Sequence, residues 1–332
     1  MLKSGTTVAT FLTASALLAG SAWAQTLEIT TVSTNSSTVG LYELFEVKFN
    51  LSIDYTNEFD PQEIDVSMTF TGPSQVQRQI PCYWTDQTPQ WRARIAPLEL
   101  GAHTCVITAT DSQSRTDQHV VNFTAVTSTS KGFIGRDSRN PYYMIFSDGT
   151  PYIPMGHNLC WQFYDQNYDD YLDNMAAHGE NWSRIWASDF GQGIEWGHNQ
   201  EPQYAGLGNY SQDNCERYEW LLDYSKQSGV YYQICLDTFT HFNHDTFSAW
   251  DVNPFNTANG GTLGAPIGVF SDPTVKQLYK NRYRYFVARF AYHPNILAWE
   301  FWNEADAIGS GGPWSLTYHQ NRTVAASWHA EM

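Results

Sequence analysis

The stretch Ile296-Leu297-Ala298-Trp299-Glu300-Phe301-Trp302-Asn303-Glu304 decides the fold class. It opens as a short apolar run, without the length or capping residues of a helix, and closes on an amide and a carboxylate. A buried strand that delivers polar groups at its C-terminal end is how parallel α/β barrels present reactive side chains. The plainer alternative is a strand whose Asn and Glu are merely solvated. What precedes the stretch separates the two.

Upstream, strands alternate with helices. Ser271-Asp272-Pro273 predicts a helix start, with Pro in the first turn and an apolar stripe at Val275, Tyr279, Phe286 and Phe290. Before it, Val230 to Leu236 predicts a strand leading to Asp237, Phe239 and His241. Glu216–Ser228 and Tyr168–His178 predict helices stopped by Gly229 and Gly179. Between them Trp182-Ser183-Arg184-Ile185-Trp186 predicts a second strand, notable for an Arg inside an apolar run, since Arg is rarely buried without a partner. Ile153 to Asn158 is the first strand, entered from a hairpin turning at Ser147-Asp148-Gly149. Tyr318 to Met332 begins a further helix. Polar groups thus collect at strand ends, as His157/Asn158, Asp237/His241 and Asn303/Glu304, with Arg184 inside the second strand. Four such groups in register point to a site on one face of a barrel.

Residues 25–126 read differently, as short alternating strands such as Ile64 to Phe70 and His103 to Thr108 with turn signals between them. About seven strands in that length predict an immunoglobulin-like β-sandwich. Its plain role is packing or spacing; a carbohydrate-binding role would use Trp84 and Trp91. Residues 127–131 form the linker, and 132–332 the α/β part. Residues 1–24 predict a secretory signal peptide, an apolar run from Val8 to Leu18 followed by Ala22-Trp23-Ala24, too short to span a bilayer. The expected location is periplasmic or extracellular. That compartment invites disulfides among the 5 Cys, with Cys82–Cys105 as the first pairing to consider and Cys160–Cys215 left open.

Charged residues make up only 16% of the chain, and the net charge of −16 leaves no basic face for nucleic acid or anionic membrane. The 13 Trp, 20 Tyr and 18 Phe therefore place aromatic groups on a largely neutral surface, which suits sugars. No phosphate loop, dinucleotide glycines or metal-ligand spacing occurs, so no cofactor and no metal is expected.

Trp299 to Glu304, together with Arg184, resembles the fourth-strand motif and active-site Arg of clan A glycoside hydrolases, the family 5-like cellulase and mannanase superfamily. Gly132-Phe133 and Asp148-Gly149-Thr150-Pro151 resemble the way many of those barrels begin. The resemblance implies a TIM (β/α)8 barrel and retaining hydrolysis of β-linked polysaccharide or oligosaccharide. It makes Glu304 the general acid/base, with a pKa raised by partial burial beside Trp302. Asn303 is implied to bond the sugar 2-hydroxyl, and Arg184 to hold a carboxylate partner. In a regular strand Glu300 shares parity with Trp302 and Glu304, points inward and can meet Arg184; an ion pair and a direct catalytic role both fit. His157, Asn158, Trp161, His241 and Trp302 are the candidate substrate contacts, with a structural role open for each His. Trp196, Trp250 and Trp314 lie in loops where packing is the plainer reading.

Such a barrel takes about 250 residues and eight strands. Only four strands are legible after Gly132, and the family's nucleophilic Glu belongs to a seventh; Glu195, Asp189 and Asp306 do not occupy its place. The expectation is an N-terminal half-barrel from a longer protein, inactive by itself. Exo-acting or algal-polysaccharide hydrolysis, and non-catalytic carbohydrate binding, are the other readings.

Overall fold

The structure is a computed structural model and describes residues 25–159, 167–188, 192–197, 206–244, 248–309 and 316–332, the last segment up to 321 by its backbone alone. The signal-peptide reading of 1–24, with Cys160, Trp161, Asp189 and Trp314, lies outside the described residues.

Nine strands come first: β1 Ile29–Thr34, β2 Thr38–Gly40, β3 Phe45–Leu51, β4 Ile64–Thr71, β5 Gln77–Pro81, β6 Tyr83–Thr85, β7 Gln90–Ile95, β8 Gly101–Asp111 and β9 Thr116–Val126. They form a four-stranded sheet in the order β1-β3-β7-β6 and a five-stranded sheet in the order β2-β9-β8-β4-β5. Period-2 alternation directs one side of each strand inward. In β4, Ile64, Val66, Met68 and Phe70 are buried, and they share one apolar core with Phe45, Val47, Phe49, Ile107 and Phe123. The sequence does not announce β2 and β6, three residues each, or the largely exposed and polar β5.

The expected Cys82–Cys105 disulfide is absent: both residues are buried free thiols, as are Cys215 and Cys235. Sheet order explains it. Cys105 pairs with Phe70 on β4, and Pro81, next to Cys82, pairs with Ser67 on the far edge of β4. Cys82 is thus level with Val66, so a whole strand and four residues of register separate the two cysteines, more than about twice the 4.8 Å strand spacing and beyond disulfide reach.

A three-stranded antiparallel sheet follows, made of β10 Ile134–Arg136, β11 Met144–Phe146 and β12 Pro151–Tyr152. Then come four parallel strands in sequential order, β13 Gly156–Asn158, β14 Trp182–Trp186, β15 Tyr231–Cys235 and β16 Ile296–Glu300. Gly156 is required where β13 meets β14, because a Cβ there would lie 1.8 Å from the Trp182 carbonyl oxygen.

The connecting helices are α1 Tyr168–Ala177, α2 Gln212–Ser228 and α3 Pro273–Phe290, and α4 Leu316–Glu331 follows β16. Ser211 and Asp272 cap α2 and α3 by accepting from Asn214 N and Val275 N. Leu172, Leu221, Leu222, Tyr279, Phe286 and Phe290 bury their apolar faces against Ile185, Tyr232, Ile234 and Ile296.

The sandwich and the helices meet over a polar seam. Arg94 on β7 bonds Glu46 at 2.7 Å and Glu219 on α2 at 2.8 Å, and Arg289 on α3 bonds the same Glu219 at 2.6 Å. Trp84 and Trp91 belong to this joint rather than to an open sugar platform. Trp91 is 3% exposed, and the Trp84 carbonyl accepts from the Tyr285 hydroxyl at 3.0 Å.

Candidate functional site

Parallel registers bring the polar strand residues together. Arg184 lies opposite Gln233 and Gln233 opposite Ala298, while Cys235 lies opposite Glu300. These residues share the face of the sheet that turns away from the helices. Arg184 grips Glu300 with two bonds, Nε to Oε2 at 2.7 Å and Nη2 to Oε1 at 2.5 Å. Fork-to-carboxylate pairing of this kind fixes orientation as well as charge. Gln233 Nε2 adds a third bond to Glu300 Oε2 at 2.7 Å, and Arg184 Nη2 also donates to Asn303 Oδ1 at 3.0 Å. Asn303 is 7% exposed, and its Nδ2 has no partner among the described residues. A buried amide donor left open costs stability unless something accepts from it.

The regular-strand assumption fails after Glu300. Ladder pairing with β15 lapses across Phe301 and Trp302 and resumes at the Thr238–Asn303 bridge. Glu300 and Asn303 therefore lie on one side with Arg184. Trp302, expected at the sugar, is 4% exposed and packs on Tyr279, Phe242 and Trp328. Glu304 follows in the left-handed region, φ 53°, where the chain turns into a short 3-10 segment closed by Ala307 N on its carbonyl at 2.9 Å. That turn carries the side chain outward. Glu304 is exposed, not sheltered beside Trp302 as expected, and its carboxylate has no partner among the described residues. A non-glycine residue held there stores roughly 1–3 kcal/mol, a cost often found at functional sites.

Of the other candidates, Asn158 is exposed and in register beside Arg184. His157 has the opposite parity, level with Ser183, and bonds Glu180 at 2.6 Å. It is not gathered with Arg184. His241 is interior, 2% exposed, with Nδ1 2.5 Å from Asp237 Oδ1 and its ring 4.5 Å from that of Trp196. Trp196 and Trp250 are buried at 6% and 4%. Of the nearby acids, Asp306 pairs with Arg322 at 3.0 Å.

The sequence reading missed the clamp around Asp237. This fully buried carboxylate accepts from Thr238 N at 2.7 Å, Tyr279 Oη at 2.6 Å and Arg282 Nη2 at 2.6 Å, besides contacting His241. Arg282 reaches on to Glu195 at 3.4 Å, whose Oε1 accepts from Gly208 N at 2.8 Å. Burial raises the Glu195 carboxyl above the usual range, against the lowering by Arg282. The available signal was Arg282 itself, three residues after Tyr279 on the buried stripe of α3. Among the described residues no cluster of His, Cys, Asp and Glu is arranged to hold a metal ion.

Burial alone would raise the Asp237 carboxyl, but His241 and Arg282 overcome it and bring it to about 2. A folded pKa below the unfolded value of about 3.9 contributes stability that is complete above that value. It is lost as pH falls towards 2, in this case roughly 2–3 kcal/mol. Thermal melts from pH 7 down to pH 2 should show that acid-side loss in the native chain and lack it in Asp237→Asn. Equal acid slopes in the two proteins would refute the assignment.

A half-buried Arg–Glu pair beside an Asn-Glu strand end defines a carboxylate site at the C-terminal edge of a parallel sheet. No family model matches the chain. A mannan endo-1,4-β-mannosidase from Oryza sativa subsp. japonica is 29% identical over 203 residues, 56% of this chain and 42% of that protein. Among solved structures, a Bacteroides vulgatus chain provisionally assigned as a glycoside hydrolase superposes with TM-score 0.59 at 15% identity, covering 88% of this chain and 54% of its own. A β-1,4-D-mannanase from Cryptopygus antarcticus gives a TM-score of only 0.35 at 16% identity, over 59% of this chain and 50% of that one. The chain thus spans about half the length of the relatives it matches. The sequence likeness to the mannosidase supports a relation to glycoside hydrolases, and the superposition with the Bacteroides vulgatus chain shows a shared fold.

Proposed function

We propose that this chain carries the acid/base half of a secreted retaining glycoside hydrolase acting on β-linked polysaccharide, with β-1,4-mannan the first substrate to test. The four parallel strands are read as the first half of a TIM barrel, and the sandwich as an immunoglobulin-like accessory unit. The carrying observation is the triad Arg184–Glu300–Asn303, in which the Asn303 Nδ2 donor, one residue before the exposed Glu304, has no partner among the described residues. In this reading Glu304 protonates the glycosidic oxygen as the C1–O bond breaks, and a second carboxylate bonds to C1. Glu304 then takes a proton from the water that displaces that carboxylate. Asn303 Nδ2 donates to the sugar 2-hydroxyl, a bond that strengthens in the transition state. Arg184, itself held by Glu300, fixes the Asn303 carboxamide through Oδ1 and leaves the Nδ2 side for the sugar. The second carboxylate is proposed to come from a later strand of the full-length protein.

The test is digestion of β-mannan, β-glucan and algal polysaccharides by the full-length protein, following reducing ends, product sizes and the anomer first released. Oligosaccharides with retained anomeric configuration are expected. Adsorption to insoluble glycan with no released ends would replace the enzyme by a binding protein, and release of single sugars only would make it exo-acting.

A further inference from the structure

We infer that Tyr279 and Arg282, on α3 behind the sheet, are positioning residues for Asn303 and Glu304 and act on them through Asp237; this rests on Glu304 being the proton donor. Regular pairing between β15 and β16 ends at Glu300 and resumes at the Thr238–Asn303 bridge, which locates Asn303. The bridge consists of two backbone bonds: Asn303 N donates to the Asp237 carbonyl at 2.9 Å, and Phe239 N donates to the Asn303 carbonyl at 3.1 Å. The position of Asn303 is therefore the position of the Asp237–Phe239 segment.

That segment has no regular secondary structure of its own at Asp237, and its fixed point is the Asp237 side chain. Tyr279 Oη and Arg282 Nη2 both bond Asp237 Oδ2 at 2.6 Å, from successive turns of a capped eighteen-residue helix. Tyr279 supports the motif from a second direction as well, with its ring 5.3 Å from that of Trp302. Tyr279 and Arg282 are 1% and 4% exposed, so any influence on substrate passes through these contacts. A rigid helix thus sets where a strained Glu304, without a partner among the described residues, presents its carboxylate. Displacing a proton donor by an ångström lowers the rate by up to about a hundred-fold, although no substrate contact is lost.

The experiment compares two glycosides in the full-length protein, one with a poor leaving group and one with a dinitrophenyl group that departs without a proton. Tyr279→Phe keeps the buried ring and removes only the hydroxyl on Asp237. It should lower kcat on the poor leaving group about ten-fold, with KM within about two-fold, and affect kcat/KM for the dinitrophenyl glycoside far less. Arg282→Lys should retain more of the poor-leaving-group rate than Arg282→Met does, at equal folded fraction by circular dichroism. Equal losses on both glycosides, tracking the folded fraction, would show a purely structural role and overturn the inference. So would wild-type rates for Tyr279→Phe on both substrates while Glu304→Gln is inactive. If Glu304→Gln itself hydrolyses polymer normally, the reading of the site falls first and the inference with it.

Discussion

Glu304→Gln should lower kcat/KM for polysaccharide by about 10²–10⁴-fold in the full-length protein, the usual contribution of a positioned general acid. The melting temperature should hardly move. Glu304 is exposed and its carboxylate has no partner among the described residues, so removing its charge breaks no contact. Surface changes of that kind stay within about 0.5 kcal/mol. Gln also occupies the left-handed conformation at the same cost as Glu. Loss of rate without loss of stability separates this position from Glu300, which has three hydrogen bonds from Arg184 and Gln233 and cannot be changed without disturbing them. Activity on a dinitrophenyl glycoside should survive in Glu304→Gln far better in the bond-breaking step than activity on polymer. Unaltered polymer hydrolysis by this variant would sink the assignment of Glu304.

Arg94→Ala should destabilise the chain by about 3–5 kcal/mol, because it strips one partner from a buried ionic group. Arg94 is 6% exposed in its side chain and spans the seam between sandwich and helices, bonding Glu46 at 2.7 Å and Glu219 at 2.8 Å. Its guanidinium also lies 5.2 Å from the ring of Tyr83 and 5.4 Å from that of Tyr292. Among the described residues, truncation leaves Glu46, itself 6% exposed, with Lys48 and Arg92 at 3.3 and 3.9 Å, and leaves Arg289 as the cation on Glu219. Burial raises the Glu219 carboxyl while Arg94 and Arg289 lower it further, so the pair has its full value at neutral pH. Replacing Arg94 and Glu46 together by Met and Leu should recover much of the loss, since apolar groups of similar volume leave no buried charge uncompensated. Denaturant melts read both effects. A loss below about 1 kcal/mol for Arg94→Ala would mean the seam behaves like an exposed ion pair.

Local order was legible from local patterns. Alternation of two residues marked β4 and β8, and Asp272-Pro273 marked the start of α3. Arg184 stood out as a charge inside an apolar strand, and Asn303 and Glu304 as polar groups at the end of one, since both patterns have few structural explanations. Their registers did not, because pairing of β14, β15 and β16 is a contact between distant segments and leaves no local trace. The break in parity at Phe301 and Trp302 is the sharpest example. Strand alternation placed Trp302 with Glu300, while the aromatic demand of α3 and α4 draws Trp302 into the core and passes its place to Asn303. The Cys82–Cys105 pairing failed for a related reason, since both residues face one core but β4 lies between them.

By itself the sequence determined a β-rich first part, a strand–helix alternation after Gly132, and the residue types that gather at strand ends. These depend on periodicity, capping and turn chemistry, all readable within a dozen residues. Only the tertiary structure decided that Arg184 closes on Glu300 and Asn303 together, that Glu304 turns outward in a left-handed conformation, and that Asp237 is clamped from α3. Each of those depends on which distant segments compete for the same buried volume, and that competition is settled only when the whole core is packed.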